Sequence, residues 1–333
     1  PSISRQQKRL NNYNAIIIAK PSTPFNDLEK FIIDQYLMQG GKIIWFVDGI
    51  AMDMDSLQGE KPYSMALPLQ LNLEDLLFKY GVRINRDLVM DMQSDKIPVI
   101  TGYKGDIPQQ TLFPWFYNPL IIPKNNQSIV KNLDAIRTSF ISTIDTITTS
   151  NIKKTPLLLS SPYTKVVKAP HRVSLNILEQ EPQLEQYQEG EQLLGVLLEG
   201  EFTSLYKNRI VRKEEGMLIK KQSVATKMIV VADGDIIKNH VSVNLNPFPL
   251  GYNPFSKEQF NGNKHFIVNA INYLLDKEDL VEIRSKELKL RLLNKNKINE
   301  NRLFWQTINI ITPITLIAFI GIIWNFRRKR KYK

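Results

Sequence analysis

The chain has no cysteine among its 333 residues. Disulfides, thiolate metal sites and cysteine nucleophiles are excluded together, although this absence does not select a compartment. The phosphate loop G-x-x-x-x-G-K-[ST] is missing, so nucleotide hydrolysis by this chain is not expected. G-x-G-x-x-G, H-E-x-x-H and G-x-S-x-G are missing too. Its three histidines, His171, His240 and His265, lie far apart without ligand spacing, which fits surface or packing roles. Excess positive charge is also scarcer than the total of +11 suggests. Arg327, Arg328, Lys329, Arg330, Lys331 and Lys333 supply six of those charges, leaving five over a long chain. So diffuse a charge does not describe a nucleic-acid surface. The chain opens at Pro1 with no visible signal peptide, and an upstream segment is expected.

What is present begins with a charge-free run, Leu303 to Trp324, followed almost at once by RRKRKYK. At about 1.5 Å per residue this run reaches roughly 33 Å, against about 30 Å of bilayer hydrocarbon. Trp305 and Trp324 stand where interfacial aromatics are expected, with Arg327 and Arg328 just beyond. The expectation is a large body on a C-terminal anchor in the cytoplasmic (inner) membrane. The basic tail, 325–333, is placed in the cytoplasm and the body in the periplasm. Gln306, Asn309 and Thr312 share one face of the anchor, and polar groups in lipid seek partners on neighbouring helices. A bend at Pro313 exposes backbone with the same need.

The body reads as alternating strands and helices. Ala15–Ala19 is a short apolar strand ending at Lys20-Pro21. Asn26 and Glu29 form a capping box for a helix stopped by Gly40-Gly41, and Ile43–Val47 is a second strand ending at Asp48. Strand, helix, strand within about thirty-five residues describes a parallel crossover. Asn72 is read as the cap of a further helix ended by Gly81, and 82–90 as one strand finishing at Asp91. A short helix is expected at 128–137, and strands at 140–147, 154–161, 195–206 and 227–232. A helix through Phe266, Ala270, Tyr273 and Leu274 packs back on the sheet.

The expected fold is therefore α/β, a mainly parallel sheet with helices on both faces. Residues 1–283 form the body, with a β-rich insertion at 160–226. A basic helix or stalk covers 284–302, and the transmembrane helix covers 303–324. Trp115, Phe116 and Tyr117 are read as core, with a contact patch as the alternative.

Asp48, Asp91, Ser160, Ser161, Asp233 and Asp235 each follow a predicted strand. In an open parallel sheet those ends converge beside the usual ligand crevice. Asp and Ser are also ordinary turn formers at such places, so a purely structural role stands beside the ligand-binding one.

Several long segments, among them AIIIAKP, DQYLMQGGKIIWFVD, NLEDLLFKYGVRIN, LLSSPYT, LLEGEFTSLYKNR and GNKHFIVNAINYLL, resemble the GldG family of gliding-motility-associated ABC transporter components. That resemblance implies an auxiliary, substrate-binding-like subunit working with a permease and a separate ATPase. It also implies a flavodoxin-like or class I glutamine amidotransferase-like body. No family catalytic residue or cofactor is carried over, and glutaminase chemistry is excluded because the nucleophilic cysteine is lacking. A structural link to envelope or gliding and secretion machinery is the alternative, and a hydrolase using Ser160 or Ser161 the remote one.

Overall fold

The computed structural model describes residues 10–57, 63–209, 219–242, 244–275 and 302–331, with the backbone alone at 107 and 302–306. The expected stalk, save Arg302, and the first nine residues lie outside the described residues, as do the side chains of Trp305 and Gln306. The chain divides into two units, 1–286 and 287–333, described separately.

The first unit opens as its sequence predicts. Strand β1 (Ala15–Ala19) leads into α1 (Asp27–Met38) and returns as β2 (Lys42–Phe46), parallel to β1. Asn26 Oδ1 accepts the Glu29 amide at 2.9 Å, and the Glu29 carboxylate accepts the Asn26 amide at 2.9 Å. This reciprocal pair satisfies two amides that have no partner within the helix. Gly40, at φ +96°, ends the helix in a backbone region that side chains resist. Trp45 and Phe46 point to opposite faces of β2. Trp45 meets Phe25 at the entrance of α1, and Phe46 meets Phe266 of the late helix described below. Both faces of the sheet are thereby covered.

The strands that follow are β3 (Ile50–Ala51), β4 (Tyr63–Pro68), β5 (Val82–Ile84), β6 (Asp87–Asp91), β7 (Ser94–Lys104) and β8 (Ile107–Ile121). Next come β9 (Ile136–Arg137), β10 (Ile144–Thr146), β11 (Ile152–Leu159), β12 (Thr164–Lys168), β13 (His171–Ser174), β14 (Leu193–Gly200) and β15 (Thr226–Val231). Helix α2 (Glu74–Lys79) precedes β5, α3 (Gly262–Leu274) follows β15, and α4 (Arg302–Lys331) is the C-terminal helix.

The central sheet has the order β1-β2-β15-β14-β11. It is mixed, where the sequence suggested mainly parallel. β1, β2 and β15 run parallel, whereas β14 is antiparallel to both β15 and β11. An apolar run such as LLGVLL buries equally well in either direction, so the local pattern carries no information about direction. The remaining strands form two- and three-stranded antiparallel sheets. They enclose a second apolar cluster around Trp115, Tyr117, Phe140 and Val173, apart from the large core on the central sheet. Trp115, Phe116 and Tyr117 are buried, as the core reading expects. Between Lys96↔Pro114 and Ser94↔Pro119 the β7–β8 register jumps, so these aromatics leave the ladder and turn into that cluster.

The strand expected at 140–147 shrinks to β10 and that expected at 195–206 ends with β14 at Gly200, and three further expectations change. The segment 82–90 is two strands, because Asn85-Arg86 break it: β5 pairs with β10 and β6 with β12. Asn72 does not cap α2; it sits at φ +58° and donates to the Phe25 carbonyl at 2.8 Å. Residues 128–137 form turns and the short β9 instead of a helix, with Asn132 left-handed at φ +57°.

In the second unit, α4 is long and apolar enough to cross a membrane, and its side chains from 307 onward are exposed within the isolated chain. Pro313 has no amide to give to the Asn309 carbonyl one turn earlier. Thr315 turns back on its own helix, donating to the carbonyls of Ile311 and Thr312 at 3.0 Å each. Asn309 and Thr312 remain outward-facing polar side chains.

Candidate functional site

The parallel strands β1, β2 and β15 end side by side, and the residues just after them meet. Lys20 follows β1, Asp48 follows β2, and Asp233 and Asp235 follow β15. Carboxylate oxygens of the three aspartates lie within 4.8 Å of one another. The Lys20 ammonium reaches Asp235 at 2.5 Å and Asp48 at 3.2 Å. Lys20 attains this position from a left-handed backbone, φ +46°, while its amide donates to the Phe46 carbonyl at 2.8 Å. Gly234 lies against it: a Cβ there would stand 2.6 Å from the Lys20 Cβ, so a side chain at 234 would push the lysine away.

Backbone amides complete the cluster. Gly234 donates to Asp48 at 2.6 Å, Asp235 to Asp233 at 2.5 Å, and Ser139 to Asp233 at 2.9 Å. Burial, with Asp235 and Asp48 adding repulsion, holds the Asp233 carboxyl well above the usual carboxylate range. Burial also raises Asp48, against the opposing pull of Lys20. For Lys20 burial works against the charge, but Asp235 and Asp48 outweigh it and raise the ammonium above its ordinary value. Asp48 and Asp235 face a cation that the protein's own ammonium supplies, while Asp233 is held by the Ser139 and Asp235 amides. The cluster joins three strand ends by charge.

Asp91, Ser160 and Ser161, grouped with these residues by the sequence reading, form a separate knot. Asp91 accepts the Ser161 hydroxyl at 2.6 Å, the Ser161 amide at 2.8 Å and the Gln93 amide at 2.8 Å. The Ser160 hydroxyl donates to the Ser161 carbonyl at 3.0 Å and accepts the Gln192 amide at 2.7 Å. Both serines are buried, and no histidine is among their partners. His171 instead meets the Tyr117 hydroxyl at 3.0 Å, and His240 meets Arg137 at 2.7 Å. Neither serine has the histidine base that the hydrolase reading called for, and the Asp91 carboxylate that accepts the Ser161 hydroxyl is itself held by two amides. These bonds account for Asp91 and both serines as one buried hydrogen-bonded knot.

Sequence reading did not group Lys20 with the aspartates. Its signal was present: a lysine closing the first strand, where two later parallel strands close on aspartate. Also missed was an arginine-lined cleft of about 1010 Å³ between α2, β5 and the end of β12, bordered by Arg83, Arg86 and Arg209. Those arginines are spread over the sequence and share no motif.

Residues 2–270 match a family model described as an ABC-type uncharacterized transport system. A Borreliella burgdorferi protein, described as an uncharacterized protein, is 26% identical over 310 residues, covering 90% of this chain and 53% of its own length. The chain thus spans about half the length of that curated relative. Among solved structures, the mmIFT52 N-terminal domain aligns with a TM-score of 0.39 at 13% identity, over 81% of this chain and 80% of its own.

Proposed function

The chain belongs to this family of ABC-type transport systems, and from that membership we propose that it is a non-catalytic auxiliary subunit of an ABC transporter, held at the membrane by α4. The observation that carries the reading is the family match across nearly all of the first unit, on a chain that ends in an apolar helix. Energy comes from a separate ATPase, since the sequence has no phosphate loop. The body binds a partner or substrate, and α4 docks on a permease helix. Asn309 and Thr312 supply the hydrogen bonds for that docking, and the Asn309 carbonyl left by Pro313 adds an acceptor. The basic run after Trp324 supports a cytoplasmic tail and a periplasmic body in the inner membrane.

The finer reading is a GldG-type component tied to gliding, supported by the long segments that resemble that family. Co-purification of the full chain from detergent tests the proposal. A permease and an ATPase are expected to come with it. Asn309→Leu with Thr312→Val is expected to weaken that association roughly 5- to 30-fold, the equivalent of about 1–2 kcal/mol. Recovery of envelope proteins without either subunit would favour a structural link instead, and unchanged recovery by the double variant would remove the docking role of α4.

A further inference from the structure

A cleft of about 1010 Å³ lies between α2, β5 and the end of β12. Its size is at the upper end of the usual range for ligand sites, roughly 300–1,000 Å³. The charges around it are unequal in their commitments. Asp75 is held by the buried Lys30 at 3.1 Å and by Arg209 at 3.2 Å. Asp87 is buried and accepts both the amide and the hydroxyl of Thr143, at 2.8 and 2.6 Å. Neither carboxylate is available to a ligand.

The arginines differ. Arg83 pairs with Asp145, and Arg86 with Glu74 at 3.1 Å, and all four side chains are about half exposed. Exposed pairs of this kind are worth roughly 0–1 kcal/mol, so an incoming anion displaces them at little cost. Lys79 and Lys168 also border the cleft, Lys168 within electrostatic reach of the buried Asp87 carboxylate. Accessible positive charge therefore exceeds accessible negative charge.

Part of the wall is apolar. Phe78, 52% exposed, stands in the cleft with Leu205. A narrow slot of about 40 Å³, lined by Leu69, Leu71 and Leu77 and also by Asp48 and Glu74, shares Arg83 and Arg86 with it. A guanidinium pair beside a leucine-lined slot matches a ligand with two parts.

We propose that this cleft binds an anionic amphiphile, with a phosphate or carboxylate on Arg83 and Arg86 and an apolar body against Phe78 and the leucine slot. This goes beyond association with a transporter, and it stands whether or not α4 has a partner. The ligand source is either a lipid headgroup with its acyl chain or a soluble amphiphile of the same chemistry.

The test is calorimetric titration of the full chain, held in nanodiscs of phosphatidylcholine, with hexyl phosphate, inorganic phosphate and hexanol. Hexyl phosphate is expected to bind at least roughly tenfold more tightly than either part alone, and less tightly as salt is raised. Arg83→Gln with Arg86→Gln is expected to weaken it by at least roughly tenfold while the unfolding transition stays in place. Phe78→Ser is expected to weaken hexyl phosphate and leave inorganic phosphate unchanged. Competition by phosphatidylglycerol in the disc would support the proposal with a lipid as source, and binding unaffected by it would support a soluble amphiphile. Hexyl phosphate bound no better than hexanol, or bound equally by the double arginine variant, would overturn it. A chain that binds hexyl phosphate yet purifies alone would retain this site and lose the transporter reading.

Discussion

Charges gather in two places in the first unit, with opposite consequences. At the strand ends Lys20, Asp48, Asp233 and Asp235 are mostly withdrawn from water, and each has its partner inside the protein. In the cleft, Arg83 and Arg86 lie about half exposed beside carboxylates they hold loosely. A buried charge must be matched during folding, because leaving it alone costs several kcal/mol. An exposed pair is replaceable, because water already supplies most of what its partner gives. The closed cluster thus acts as a joint, and the open cleft is free to exchange partners.

The largest effect that would break this contrast is at Lys20. Lys20→Met leaves Asp48 and Asp235 without their cation and is expected to cost about 3 kcal/mol in urea unfolding, at the low end for buried pairs because the ammonium keeps some solvent. A loss below about 1 kcal/mol would mean that the cluster behaves like a surface pair. Ser161→Ala comes next. It removes one hydroxyl from Asp91 while the Ser161 and Gln93 amides remain, and about 1–2 kcal/mol of destabilisation is expected by the same measurement.

A third effect is read from pH dependence. Burial together with Asp235 and Asp48 keeps a proton on folded Asp233 that the unfolded chain releases near pH about 4. The resulting stability is full below the unfolded value and is lost as pH rises through the folded one. Asp233→Asn cannot ionise, so its stability relative to wild type is expected to improve as pH rises. Unfolding curves that shift in parallel across pH would remove this coupling. The smallest effect belongs to the cleft: Arg86→Gln is expected to change stability by no more than about 1 kcal/mol.

Much of the central sheet was legible in the sequence because its signals are local. The Asn26–Glu29 capping box, the stop at Gly40 and the apolar runs of β1, β2, β11 and β15 need no distant partner to be recognised. The same holds for α3, whose Phe266, Ala270 and Leu274 recur at helical spacing and are all buried. Strand direction was not legible, since it is set by which distant strand arrives alongside. The break at Asn85-Arg86 was missed for a related reason: β5 and β6 belong to different sheets, and only their partners β10 and β12 reveal it. In 128–137, Ile129 and Val130 are buried as a helix would bury them, yet a turn achieves it.

The candidate site was half legible. Asp48, Asp233 and Asp235 were grouped by the rule that parallel strand ends converge. Asp91 and the serines were grouped with them because the same residue types follow antiparallel strands, where no such convergence applies. Lys20 was visible only as the residue that closes a strand. What made it part of the site is its left-handed turn and the absent side chain at Gly234.

The ribbon of β7 and β8 has a practical use. Its base is rooted in the aromatic cluster through Trp115, while most of 100–112, including Tyr103 and Leu112, stands in solvent. At about 3.4 Å per residue, the solvent-facing half extends on the order of 20 Å. A small reporter inserted between Gly105 and Asp106 would therefore ride on a natural mast, leaving both apolar cores and both charge clusters undisturbed, and would give image reconstruction a landmark for locating this body within any larger assembly.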